Sequence, residues 1–459
     1  MKKIAAIICE YDPFHNGHKY LIEETRRRTE CDGVVCIMSG SFTQRGQPAI
    51  CDKWLRAEAA LLGGADIVIE LPFYYAVASA QYFGTGGLNA AAALGADVVA
   101  FGSETAALGA GKVTFGSETA ALGSEACEDK LRRLAGARLK PGFGAAVKRS
   151  IDAGASYAAA ATAAALNEGT DPVLNLGTDP GIDRIGPNDI LGAEYIAAAA
   201  RIGFEPEWCI VPREGAGHGA ELPVDQYASA TYLRAQLAYD DWDARISPFV
   251  PESTLELLKK WRETEQFVTA DAFSTAVTAV LRVTEAELTG KLPFGGGGVG
   301  RLVHKNAQKY AEWGQIVRAS TSARYQSSRI SRLLVHALVS LNTKDRLTKA
   351  ETARVYGRGA MPYVRVLGIR EGNGQAMLSE LSKRLKPGTV LVTSPADCLN
   401  VFEAGDRPQI EGGDRPRNNN LGAKMLRADI RAQAVYNSAL RGVDRTAADR
   451  DLTQKMLRL

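Results

Sequence analysis

The sequence predicts an α/β fold. A doubly wound parallel sheet is expected over residues 1–245, followed by a mainly helical, basic half over residues 246–459 with a small α/β part near its end. Three observations carry this. Short apolar runs alternate with helix-like segments through the first half, the pattern of strands buried on both faces. At 459 residues the chain is too long for one ordinary core. Its charge is also divided. Residues 246–459 hold 33 Lys+Arg against 21 Asp+Glu, giving +12, which leaves −9 on residues 1–245 within a net charge of +3. A basic half joined to an acidic half suggests nucleic acid on one side and small-molecule chemistry on the other.

The elements follow in order. KIAAIIC, from Lys3, reads as the first strand, and a helix is expected from Gly17 to Arg28. GVVCIMS is the next strand, then a helix from Lys53 to Leu62. DIVIEL follows, then an Ala-rich helix near residues 76–94, then DVVAFG. In such sheets ligands sit beyond the carboxyl ends of the strands. In the second half, helical spacing marks 253–265, 303–317, 328–342 and 376–385, while YVRVL at 363–367 and TVLVT at 389–393 read as strands. The run GGGGVG at 295–300 does not lie between a strand and a helix, so it reads as a flexible linker rather than a dinucleotide fingerprint. Three near-repeats read as local duplications in loops: FGSETAALG at 101–109 and 115–123, GTDP at 169–172 and 177–180, and GDRP at 405–408 and 413–416.

Several classes are set aside. The longest apolar runs, IAAII and DIVIELPF, fall far short of the roughly 20 residues that a membrane span needs. The opening MKKIAAIICEYDPF breaks at Glu10 and Asp12 without a cleavage site, so it reads as a buried strand and not as a signal peptide. Seven scattered cysteines, without C-x-x-C or H-E-x-x-H, argue against a disulfide framework and against a zinc motif. They fit a reducing cytoplasm. No metal ligand set, no membrane and no protein partner is evident.

Two elements carry chemistry. The first is His15-Asn16-Gly17-His18, behind Pro13 and ahead of a helix. A helix N-terminus offers free N–H groups and a dipole to phosphate. Two imidazoles beside it can donate to phosphoryl oxygens as charge builds in a transition state. The second is Ser229-Ala230-Thr231-Tyr232-Leu233-Arg234. Its hydroxyls cap a helix, and Arg234 lies one turn in, where a guanidinium grips outer phosphates. Alone it is as readily a plain capped helix; with the first element it reads as a phosphate grip.

These two motifs resemble the HIGH-type nucleotidyltransferase superfamily. Longer stretches narrow the resemblance: PFHNGH, MSGSFTQRGQPAICDKWLRAEAALLGGADIVIELPF, FGSE, PNDILGAEY, SATYLR, RYQSSRISRLLVHAL and YVRVLGI are similar to the bacterial tRNA(Met) cytidine acetate ligase family. The resemblance implies a Rossmann-like nucleotidyltransferase domain. It implies that ATP activates acetate as acetyl-adenylate, which then acetylates N4 of the wobble cytidine of elongator tRNA(Met). It implies an ATP site of Ile7, Cys9, Glu10, Tyr11, Pro13, Phe14, His15, Asn16, Gly17, His18 and Tyr20, with Gly102, Asn188 and Arg213. Gly116 of the second FGSE copy competes with Gly102. Asn188 could equally cap a helix after Pro187.

The polar stretch Ser39–Lys53 follows a strand end, and Ser41, Gln44, Arg45 and Lys53 are expected to shape the acetate or cytidine pocket. For RNA, residues 301–332 carry seven Lys+Arg against one acid, Glu312. At helical spacing Tyr325, Arg329, Arg332 and His336 share a face opposite the apolar stripe of Ile330, Leu333, Leu334, Ala337 and Leu338, and Arg324 lies just ahead. An exposed basic face beside an aromatic suits RNA backbone and an unstacked base.

The expected mechanism has two steps. Acetate attacks the α-phosphate of ATP and pyrophosphate leaves. His15 and His18 stabilise the transition state while Ser229, Thr231 and Arg234 hold the leaving group. N4 of cytidine then attacks the acetyl carbon. Mg2+ is expected to accompany the phosphates. Two rivals remain open, an adenylyltransferase for a small cofactor precursor and a non-catalytic RNA-binding homologue.

Overall fold

The computed structural model describes residues 2–104, 117–152, 160, 164, 187–213, 222–322, 324–341, 343–404, 419–442 and 447–459. Phe115 and Gly116 of the second FGSE copy, the GTDP pair and the GDRP pair lie outside them.

Eight strands form one sheet: β1 Ile4–Cys9, β2 Gly33–Ser39, β3 Ile67–Leu71, β4 Val98–Ser103, β5 Glu207–Pro212, β6 Tyr363–Ile369, β7 Val390–Val392 and β8 Leu457–Arg458. Their order is β5-β4-β1-β2-β3-β6-β7, with β8 paired to β6. β1 is flanked by β2 on one side and β4 on the other, both parallel. The winding direction therefore reverses at β1, and the crevice beyond its carboxyl end is a ligand position of doubly wound sheets.

Strand alternation explains why β1 is apolar throughout. Ile4, Ala6 and Ile8 pack on one face with Phe83, Leu88 and Tyr195 of the helices Ala80–Ala93 and Pro187–Ile202. Ala5, Ile7 and Cys9 pack on the other with Ile22 of helix α1, Asn16–Thr29, and Trp54 and Ala57 of helix α2, Lys53–Leu62. A strand covered on both sides has no polar position to alternate with.

The expected helix over 76–94 is a short turn at Phe73–Ala76 and a helix at Ala80–Ala93. The expected helix over 303–317 is two, Val299–Ala307 and Trp313–Ser320. YVRVL and TVLVT are strands, as their β-branched runs imply. They do not build a separate sheet: β6 pairs antiparallel with β3, with Glu70 opposite Arg365. The sheet is thus mostly parallel with one antiparallel junction, and it draws strands from both sides of residue 245.

That junction is sealed by buried charge. Lys53 Nζ contacts Glu70 Oε2 and Asp451 Oδ1, each at 2.8 Å. Arg365 Nη1 reaches Asp451 Oδ2 at 2.5 Å and Glu70 Oε2 at 3.0 Å. All four side chains are buried. Burial pushes the Asp451 carboxyl up, but Arg365 and Lys53 outweigh it and hold the group below its ordinary value. Two cations against two carboxylates compensate one another, which is what makes such a cluster tolerable away from water.

Replacing Asp451 with Asn leaves two buried cations against one carboxylate. The expected cost is about 3–5 kcal/mol, seen as a lower denaturant midpoint at unchanged slope. A midpoint equal to the parent's would show that the cluster does not hold the junction.

Candidate active site

The loop after β1 brings the paired histidines to the switch point. Pro13 follows a cis peptide bond, and α1 begins at Asn16. The His15 and His18 rings stack, centroids 3.6 Å apart and 19° from parallel. The His15 backbone N–H donates to His18 Nδ1 at 3.3 Å. In a neutral ring that leaves Nε2 of His18 as the proton-bearing nitrogen. Nδ1 of His15 is buried with no partner among the described residues. Burial lowers the His15 pKa to about 3, helped by Arg213 and Arg234. Burial, His15 and Arg213 hold His18 well below its ordinary value too. Both rings are therefore neutral donors at neutral pH, waiting beside two guanidinium groups.

Glycine at position 17 serves the histidine itself. A Cβ there would lie 3.1 Å from His15 Cε1. The space left by the missing side chain is taken by the imidazole.

The Ser229–Arg234 element docks onto the same loop. Ser229 Oγ accepts from Tyr232 N at 3.1 Å and caps the helix Ala230–Gln236. Arg234 Nη1 donates to the Asp12 carbonyl at 2.7 Å, and Nη2 donates to Thr231 Oγ1 at 3.2 Å. Asn16 Nδ2 donates to the carbonyls of Gln226 and Pro248 at 3.1 and 3.0 Å, clamping α1 to the segment around this helix. The two motifs are thus brought together.

The carboxyl ends of β4 and β5 form the opposite wall. A Cβ on Gly102 would sit 3.1 Å from Arg213 Cγ, so the glycine lets the arginine lie across the strand end. Arg213 N donates to Ser103 O at 3.0 Å. Its Nε is buried with no partner among the described residues. Asn188 is the second residue of its helix and not a cap; its backbone N–H and its amide both donate to Glu104. Ser103 Oγ donates to Asp189 Oδ1 at 2.5 Å. Glu104 and Asp189 are the carboxylates acting on Arg213.

The remaining expected nucleotide residues divide. Ile7, Cys9, Tyr11 and Phe14 turn into the core beneath the loop, with Tyr11 Oη 3.1 Å from Cys36 Sγ. Pro13 is buried with them. They are the footing of the loop, so contact from this segment falls to its backbone and to the histidines. Tyr20 packs edge-on to Tyr227, centroids 6.1 Å apart. Glu10 Oε1 accepts from Gln44 N at 2.6 Å, and burial pushes its carboxyl up.

The expected acetate or cytidine pocket disperses. Gln44 stays at the site through that bond to Glu10. Arg45 is exposed. Ser41 Oγ instead donates to Gln433 Oε1 at 2.8 Å, and Lys53 lies in the sealed charge cluster. Neither faces a crevice, because the loop closes on the C-terminal helices. Asp12, Glu104 and Arg56 were missed. Arg56 donates to the carbonyls of Glu10 and Ser39 at 2.7 and 3.1 Å. Asp12 and Glu104 accept from Ile50 N and from Asn188, and no spacing rule points to residues whose work is to hold backbone groups.

The expected RNA face is exposed only in part. On the helix Ser327–Ser340, Arg332 is 7% exposed and His336 is fully buried, its Nε2 donating to Val77 O at 3.0 Å. The helix is enclosed on that side by Phe73, Tyr74 and Phe294 rings. Tyr325 and Arg329 hydrogen-bond into the glycine run, at Gly297 O and Gly296 O. That run is therefore a shaped turn with Gly297 at φ 70° and Gly298 at φ 92°, and not a linker. Arg324 is exposed.

A switch-point crevice lined by neutral histidines at a helix start, faced by Arg234 and by Arg213 with its unpartnered Nε, defines a nucleotide-binding transferase. The family described as HIGH Nucleotidyl Transferase matches residues 1–451. A tRNA(Met) cytidine acetate ligase of Lysinibacillus sphaericus is 32% identical over 84% of this chain and 88% of its own length. One of Syntrophomonas wolfei is 28% identical over 98% of both chains. The crystal structure of apo Thermotoga maritima TmcAL superposes with a TM-score of 0.82 at 25% identity, over 100% of this chain and 99% of that one. The same protein bound with alpha-thio ATP gives 0.80. The chain belongs to the HIGH nucleotidyl transferases and, within them, to the tRNA(Met) cytidine acetate ligase family.

The histidines set a pH dependence. Free histidine takes a proton near pH 6.5, but His15 resists until about 3 and His336, desolvated, until about 4. Between those values the unfolded chain binds more protons than the folded one, so stability falls as pH drops below about 6.5. Thermal melts from pH 7.5 to 5 should show this decline, and His15→Gln should flatten it. Identical slopes in parent and variant would refute the neutral assignment.

Proposed function

We propose that this chain activates acetate with ATP and transfers the acetyl group to N4 of the wobble cytidine of elongator tRNA(Met), in the cytoplasm. The observation that supports the reading most strongly is the stacked His15–His18 pair facing Arg213 and Arg234 across the β1–β4 crevice.

ATP lies with its phosphates at the start of α1. An acetate oxygen attacks the α-phosphorus and pyrophosphate departs. His18 Nε2 donates to the phosphoryl oxygens as they gain charge, and His15, with an unpartnered buried Nδ1, supports the same group. Arg234, already fixed on the Asp12 carbonyl, and Thr231 grip the departing pyrophosphate. Arg213 and Asn188 bind the nucleotide from the β4–β5 side. N4 of the cytidine then attacks the acetyl carbon, AMP leaves, and N4 loses a proton. Mg2+ would accompany the ATP phosphates and screen their charge; among the described residues no group of three or more His, Cys, Asp and Glu could hold a metal ion. No helix among the described residues is long and apolar enough to cross a membrane.

ATP–pyrophosphate exchange without RNA tests the first step. Exchange should require acetate, and His18→Ala should reduce it by roughly 10²–10³-fold, the range for losing one transition-state donor. Exchange indifferent to acetate would favour a small-molecule adenylyltransferase instead.

A further inference from the structure

Arg332 is a buried cation without a counter-charge among the described residues. Its Nη1 donates to Gln44 O at 3.0 Å, and its guanidinium carbon lies 5.1 Å from the centre of the Phe294 ring. Its Nε is buried with no partner among the described residues. Burial depresses its pKa to about 10, Tyr356 opposes the depression in part, Arg329 adds to it, and no carboxylate among the described residues takes part. Arg365, equally buried, has two carboxylates in direct contact. Arg329 repeats the pattern half-buried: Nε donates to Phe294 O at 3.1 Å and Nη2 to Gly296 O at 2.8 Å, both neutral acceptors. Arg324 is exposed over the Tyr325 ring at 5.3 Å. The sequence enforces this deficit, because no Asp or Glu occurs between Glu312 and Asp345. Desolvating a cation without a partner is costly, and such a group is best explained by an anion that arrives later.

The position of the site suggests which anion. Gln44 O accepts from Arg332 while Gln44 N donates to Glu10, at the carboxyl end of β1. Gln47 Nε2 meets Ser331 Oγ at 3.3 Å, and Gly46, at φ 73°, packs so close that a Cβ would come within 2.3 Å of Arg332 N. One residue thus links the arginine group to the transfer site. Three guanidinium groups spread over nine positions exceed what one acetate can occupy; they match successive phosphates of a strand.

We propose that Arg324, Arg329 and Arg332 form a phosphodiester-binding site that anchors the tRNA strand delivering the target cytidine. This rests on the acetyl-transfer reading. The arginines chosen from the sequence stay in the site, Arg329 and Arg332 held by backbone carbonyls and Arg324 exposed beside them.

The test is tRNA binding by the full chain, measured with an elongator tRNA(Met) transcript across a potassium chloride series. Arg329→Gln should weaken binding roughly threefold to tenfold and lower the slope of log K against log salt by about 0.7–0.9 per lost phosphate contact. The Arg324→Gln/Arg329→Gln pair should lower it by about twice that. Arg332→Lys keeps the charge in the buried position and loses the planar fork, and it should weaken binding with little change in slope. Unchanged affinity and slope in the double variant would overturn the proposal, as would weaker binding with the parental slope in both glutamine variants. Binding needs no turnover, so failure of the acetylation reading shows separately, as absence of acetate-dependent exchange in the parent.

Discussion

A charge taken out of water must find its opposite, and that constraint joins the two halves of this chain. Lys53, Glu70, Arg365 and Asp451 come from α2, β3, β6 and the short helix Arg450–Thr453. None of the four could be buried alone. Their meeting places the C-terminal segment directly behind the polar loop that leads from β2 into α2. Asp52, next to Lys53, caps Leu55 N at 2.8 Å and pairs with Arg450 at 2.8 Å. One turn on, Arg56 holds the carbonyls of Glu10 and Ser39. The end of β1, with the proposed site beyond it, is therefore braced by residues nearly four hundred positions later.

This explains which features were legible in the sequence. β1, β2, β3 and β4 could be read because strands buried on both faces are continuous apolar runs. Helix α2 could be read to its ends because Asp52 is a cap and Gly63 a stop. The histidine loop was legible because its chemistry is local: two rings, a glycine and a helix start within four residues. Long-range pairing was not. Lys53 and Ser41 look like pocket residues in sequence, since nothing local shows that Asp451 and Gln433 wait for them. The face of the Ser327–Ser340 helix was misread for the same reason. Helical spacing says that Arg332 and His336 share a side, but not that Phe73, Tyr74 and Phe294 cover it.

The same desolvation acts with different consequences at three places. In the charge cluster it is cancelled within the protein. At the histidines it is avoided, since neutral imidazoles bury cheaply and still donate hydrogen bonds. Arg213 stands between these cases, desolvated but influenced by Glu104 and Asp189.

Arg332 belongs to none of them. Among the described residues its burial is offset by the Gln44 carbonyl, the Phe294 ring and Tyr356, contacts worth far less than a carboxylate. A fold that compensates Lys53 and Arg365 so fully does not lack the means to compensate one more arginine; a single Asp in the acid-free stretch after Glu312 would suffice. Such an Asp would also repel a phosphate. The deficit and the ligand are thus two sides of one electrostatic argument. Because Gln44 touches both Arg332 and Glu10, an anion settling there would bear directly on the peptide that edges the transfer site.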